Sequence, residues 1–179
     1  MNLPMPVAMG IWIVIGLLIL ALIVRGLSRR RRDGADVVPA LDLFPDGDNR
    51  GTEICAGFDA IYVSTTRHGD WLARIGVFGL GNRSNARIRV FTSGVLLSRE
   101  GEADVFIPSH RIESTTTTSG ISGKYIPHDG LDVVTWRPAK STELVDTGLR
   151  IADRGARKNF QNALTTLTSS HTMTLEENS

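Results

Sequence analysis

The segment Ala86-Arg-Ile-Arg-Val-Phe-Thr92, with Ser93-Gly94 and Val95-Leu-Leu-Ser98 behind it, decides the fold class. Ile88 and Val90 alternate with Arg87 and Arg89, the period of a strand with one face in a core and the other in water. Ser93-Gly94 is turn chemistry, and Arg99-Glu-Gly101 reverses the chain again into Ala103-Asp-Val-Phe-Ile107. Upstream, Ala60-Ile-Tyr-Val-Ser-Thr-Thr66 reads as another strand. Downstream, the Ser/Thr-rich stretch Ser114 to Ser119 reads as a connection and Gly120 to Ile126 as a weaker strand. Leu131-Asp-Val-Val-Thr-Trp136 is a strong strand, Pro138-Ala-Lys-Ser141 a hairpin loop, and Thr142 to Leu149 the returning strand. Seven short strands with short connections predict a mainly β protein, a sandwich or a small barrel.

The flanking segments have different textures. From Asp153, a suitable N-cap, Ala156, Phe160, Ala163, Leu164 and Leu167 recur at helical spacing, so one apolar stripe must pack on the strands. Past Ser169 the chain is polar and is expected to fray. His68-Gly-Asp-Trp-Leu-Ala-Arg-Ile75 is expected to form one helical turn burying Trp71, Leu72 and Ile75. Asp33 to Gly57, with Pro39, Pro45, Gly47, Gly51 and several acids, reads as a tether.

At the N-terminus, Val7 to Val24 carries no charged side chain. These 18 residues would make about 27 Å of helix, close to the thickness of a bilayer core. A cleaved signal peptide would need a basic start and a small-residue cleavage site, and a core helix would show a polar face; the block has none of these. Arg25, Arg29, Arg30, Arg31 and Arg32 follow it and no basic residue precedes it, so the positive-inside rule puts the folded part in the cytoplasm. The expected division is residues 1–6 outside, 7–24 across the cell membrane, 25–57 as basic juxtamembrane segment and flexible acidic linker, 58–170 as the β domain, and 171–179 as a disordered tail. Net charge is +1; the five arginines thus leave the rest of the chain at −4, which excludes an ordinary nucleic-acid binder. The arginines are candidates to rest on anionic headgroups.

Seven strands followed by a C-terminal helix is the order of a pleckstrin-homology barrel. The chain also resembles a group of small actinobacterial single-span membrane proteins with a pleckstrin-homology-like domain. The resemblance is carried by Tyr62-Val-Ser-Thr-Thr66, Gly69-Asp-Trp-Leu72, Gly79-Leu-Gly81, Asp104-Val-Phe-Ile-Pro108, Gly120-Ile-Ser-Gly-Lys124, Gly130-Leu-Asp-Val-Val-Thr-Trp136 and Asp146-Thr-Gly-Leu149. It covers most of Phe58 to Phe160 together with the apolar block. It implies a partly open seven-stranded barrel capped by its last helix, and it implies no reaction. Better-known pleckstrin-homology domains carry tryptophan in that helix; Phe160 stands there as a smaller plug. Such domains hold phosphoinositide headgroups through Lys and Arg near the first hairpin, where this chain offers Arg67, Arg74 and Arg83, with Arg87 and Arg89 on the next strand.

Motifs for other chemistry fail on inspection. Asp46-Gly-Asp48-Asn-Arg50-Gly51 begins like a calcium loop but has Arg50 at position five and Gly57 where a bidentate Glu is required. Gly79-Leu-Gly81-Asn-Arg-Ser84 lacks the third glycine and the following helix of a dinucleotide site. Gly120-Ile-Ser-Gly123-Lys124 lacks the length and hydroxyl of a phosphate loop. His68, His110, His128, His171 and the single Cys55 show no ligand spacing. The expectation is a non-catalytic chain with no cofactor and no metal. It is a binding or scaffold module for a membrane-protein partner, or alternatively a binder of anionic lipid headgroups or an accessory subunit of an export or transport system. Arg67, His68, Asp70, Arg74 and Arg83 form the candidate ligand loop.

Overall fold

The computed structural model describes the backbone of residues 5–30, 33–118, 120–121, 124–125 and 130–176, and side chains within 12–26, 33–118 and 130–168. Helix α1 spans Met5–Arg30, and the strands are β1 Glu53–Arg67, β2 Asp70–Arg74, β3 Ser84–Phe91, β4 Gly94–Arg99 and β5 Val105–Pro108. After them come β6 Ile112–Thr118, β7 Gly120–Ile121, β8 Lys124–Tyr125, β9 Leu131–Trp136, β10 Val145–Arg150 and helix α2 Arg154–Glu176.

The main sheet is antiparallel, ordered β5-β4-β3-β1-β10-β9-β6, with β2 paired to β1 off this path. β1 belongs to both halves. It pairs with β3 from Glu53 to Tyr62 and with β10 from Ile61 to Arg67, so the sheet bends along this one strand. Ile88, Val90, Val95 and Ile107 from one arm and Ile112, Val134 and Trp136 from the other fall in a single buried cluster, so the open sheet curls until its arms face each other. Arginines at 87 and 89 alternate outward, as the period of two requires.

Phe160, Ala163, Leu164 and Leu167 of α2 complete that cluster, and Phe160 meets Phe58 edge-to-face at 5.8 Å between ring centres. Asp153 caps the helix by accepting from the Ala156 N–H at 2.6 Å. A second device sets its register. Buried Asp132 on β9 faces Arg157 Nε at 2.8 Å and accepts from Gln161 Nε2 at 2.7 Å, one turn further along. The helix does not fray at Ser169: its backbone continues to Glu176, within the stretch expected as a disordered tail. The Thr165, Thr166 and Thr168 hydroxyls donate back to carbonyls a turn earlier, which satisfies polar groups that composition alone reads as loop-forming.

Four further expectations need correction. The Ser/Thr stretch from Ser114 is not a connection but the body of β6, paired with β9 from Ile112 to Thr118. Threonine is β-branched and suits a pleated, half-wet surface. Among the described residues Gly120–Ile121 and Lys124–Tyr125 pair with each other and not with the main sheet, so the expected fifth barrel strand is a small side hairpin; residues 122–123 and 126–129 lie outside those described.

The segment expected to be a helical turn is β2. Gly69, at φ +77°, turns the chain back along β1, Thr66 pairs with Arg74, and only Ile75 is buried. Trp71 is 46% exposed and Leu72 77%.

The expected tether is largely built into the domain, which begins well before Phe58. Val37 and Val38 are fully buried. Gly34, at φ +87°, packs so closely on Ile75 that a Cβ there would stand 2.8 Å from its methyl. Ala40 bridges Ala139, Asp42 bridges Phe106, and Phe44 packs on Phe91 and Phe106. β1 then starts at Glu53 rather than near Ala60. Two valines and an aromatic among turn residues are enough to bind this strap to the sheet.

The apolar block lies within α1, whose described large side chains from Trp12 to Val24 are all exposed. Among the described residues no helix is long and apolar enough to cross a membrane; side chains are described for only 15 residues of α1, Trp12 to Gly26, against the roughly 18 that a span needs. Residues 1–4 lie outside those described.

Candidate functional site

The rim where β1, β10, β9 and β6 end carries most of the candidate loop. Arg67, Val145, Trp136 and Ile112 stand in register across it, and the β1–β2 hairpin projects beyond. Arg67 donates to Asp36 Oδ2 at 2.6 Å and to Glu143 Oε2 at 2.8 Å, joining strap, hairpin and the β9–β10 connection. The Arg67 hydrogen bond holds the Asp36 carboxyl below the usual carboxylate range, and Asp36 raises the guanidinium in return.

His68 Nδ1 lies 2.9 Å from Asp146 Oδ1, which also accepts from Thr135 at 2.7 Å. Asp146 is buried and His68 half-exposed, so the ring is held at the rim with one edge in water. Asp70 accepts from the Leu72 and Ala73 N–H groups at 3.0 and 3.2 Å, an Asx turn that shapes β2. Arg74 lies on β2 opposite Thr66, and Arg83 is exposed just before β3.

The arginines are not gathered. Arg87 pairs with Asp59 at 3.4 Å and Arg89 stacks over Phe91 at 5.5 Å from the ring centre. Asp59 and Arg67 are eight residues apart on β1, up to about 26 Å. Arg25 is exposed on α1, while the side chains of Arg29, Arg30, Arg31 and Arg32 lie outside those described. The candidate loop is therefore a hairpin whose first charge is spent on two carboxylates. Its partners Asp36, Glu143 and Asp146 are remote in sequence and were missed.

Beneath the rim lies a buried polar chain. Tyr62 Oη contacts Thr65 Oγ1 at 2.6 Å and donates to the Leu80 carbonyl at 2.8 Å, and Thr65 meets Thr147 at 2.7 Å. Trp136 Nε1 donates to Thr147 at 2.9 Å. Burial pushes the Tyr62 phenol up to about 12, so it stays a neutral structural hydroxyl. Arg99 lies 4.7 Å over the Tyr62 ring centre and donates to the carbonyls of Ala103, Gly79 and Phe78 at 2.8–2.9 Å. These bonds fix Phe78 in the left-handed region at φ +54°, with its ring 40% exposed. Among the described residues no three acids, histidines or cysteines converge on one point.

A bent antiparallel sheet of seven principal strands, closed on one side by a C-terminal helix, defines a pleckstrin-homology-like domain. The family described as bacterial PH domain-like matches residues 38–165, and the chain belongs to it. The match begins at Val38, inside the strap, in agreement with the burial of that residue. Comparison with curated proteins gives no match.

Proposed function

We propose that this chain is a single-span, membrane-anchored and non-catalytic binding or scaffold module that presents its PH-like domain at the cytoplasmic face of the cell membrane. The observation that carries the reading is α1 itself. Trp12, Leu17, Leu18, Leu20 and Leu22 are each more than half exposed, and no charged residue interrupts Val7 to Val24. Such a surface is costly in water at about 25 cal/mol per Å² and at home in hydrocarbon. The arginines that follow suit the headgroup region and set the orientation. The resemblance to single-span actinobacterial proteins supports the same arrangement.

A partner protein on the same membrane suits this domain better than a specific headgroup, because Arg67 is already engaged and Arg87 and Arg89 lie away from it. Anchoring raises the effective concentration of such a partner, so a modest contact suffices. Alkaline carbonate extraction of membranes from cells carrying the full chain, with protease added to intact spheroplasts, tests the reading. The expected result is a chain retained in the membrane with its domain protected until lysis. Release into the supernatant, or digestion of the domain from outside, would overturn it.

A further inference from the structure

Of the five large apolar residues exposed on the domain among those described, Leu43, Ile54, Trp71, Leu72 and Phe78, the last three lie close to where α1 leaves off. Gly76 and Val77 both donate to the Asp33 carbonyl, at 2.8 and 3.0 Å. Asp33 follows the last residue of α1, Arg30, by three Cα steps, at most about 11 Å of chain. Leu72 stands four residues before Gly76, and Phe78 follows Val77 directly. Trp71, Leu72 and Phe78, which are 46%, 77% and 40% exposed, thus flank the point at which the anchor segment is fastened to the domain. The two valines behind Asp33 are buried, so the fastening has no slack on the domain side.

Resting on the anchor reading above, we propose that the β1–β2 hairpin and Phe78 form a second membrane contact. Trp71 and Leu72 enter the interfacial layer of the same bilayer that holds α1, and they fix which face of the domain looks away from it. A helix end within about 11 Å holds this edge near the bilayer's headgroups and limits how far it can swing away. Tryptophan favours that layer, where its ring is dry and its N–H is wet. The charges at the hairpin base are of both signs: Arg67 is paired with Asp36 and Glu143, and His68 with Asp146. The contact is therefore apolar, largely indifferent to salt and to the anionic lipid fraction, unlike headgroup recognition. The left-handed Phe78, held outward by Arg99, fits a ring kept in place for such a contact.

The test is the full chain reconstituted into phosphatidylcholine vesicles, with and without phosphatidylglycerol, carrying one nitroxide label at a time in a Cys55→Ala background. Leu72→Cys reports the hairpin, Asp59→Cys an exposed site on the sheet, and Leu20→Cys the anchor. Collision with oxygen relative to a water-soluble nickel chelate is read at each. The expected result is oxygen-favoured collision at Leu72, unchanged by high salt or lipid charge, with nickel favoured at Asp59 and oxygen strongly favoured at Leu20. Nickel access at Leu72 equal to that at Asp59, with Leu20 still in the bilayer, overturns the contact and leaves the anchor standing. Nickel access at Leu20 overturns both. Protection of Leu72 from both reagents would place it against protein, and would also overturn the proposal.

Discussion

Phe160 on α2 and Trp71 on β2 are both large aromatics on late additions to the same sheet, and they meet opposite fates. Phe160 is fully buried, edge-on to Phe58, on a helix whose register is fixed by Asp132, Arg157 and Gln161. Trp71 stands half in water on a ribbon that adds one strand to the sheet and nothing to its core. The helix side spends its apolar surface on stability, and the hairpin side keeps its own in reserve for something outside the domain.

The largest effect expected from breaking this contrast is at Phe160. Phe160→Ala should lower the unfolding free energy by about 4 kcal/mol, read from urea denaturation. Asp132→Ala should follow at about 3 kcal/mol, since it leaves Arg157 without its buried counter-charge and Gln161 without its acceptor. Val38→Ala should cost about 2 kcal/mol if the strap is part of the domain, whereas a free tether would give no change. Leu72→Ser should lie within about 0.5 kcal/mol of the parent, because nothing in the core leans on it.

The smallest effect is pH-dependent. Because Asp36 titrates lower when folded, its contribution is complete above its ordinary value of 3.8 and is lost as pH falls through the lowered one. The stability difference between the parent and Asp36→Asn, followed by thermal melting, should therefore shrink only in strongly acid solution.

The same contrast marks what was legible beforehand. Ile88 and Val90 alternating with Arg87 and Arg89 announce β3, and Ala156 to Leu167 announces α2 and its cap, because those periods are local. The hairpin's sequence misleads for a physical reason. Trp71, Leu72 and Ile75 sit at spacings that suit a helical turn, and nothing local tells that only Ile75 reaches the core. β6 hid in a Ser/Thr tract whose composition suggests a loop, although a ladder partner turns threonine into a strand residue. At the candidate site, Arg67, His68, Asp70, Arg74 and Arg83 stand close along the chain, and a linear reading sees that much. The acids that engage Arg67 and His68 come from Asp36, Glu143 and Asp146, and ion pairs across such separations leave no pattern in a linear reading.

The strand shared between the two arms has a consequence for how this domain comes into being on the ribosome. The upstream half of β1 finds β3 within a few tens of residues, but its downstream half must wait for β10; His68 and Asp146, which face each other in the finished rim, are 78 residues apart. At about 5–20 residues per second, the edge of that half that faces β10 stays open for roughly 4–16 s of synthesis, whatever β2 covers on the other side. Throughout that interval Tyr62-Val-Ser-Thr-Thr66 presents a β-branched, uncharged edge. Within the β domain, that open edge is a place where a chaperone's cover would matter until β10 emerges.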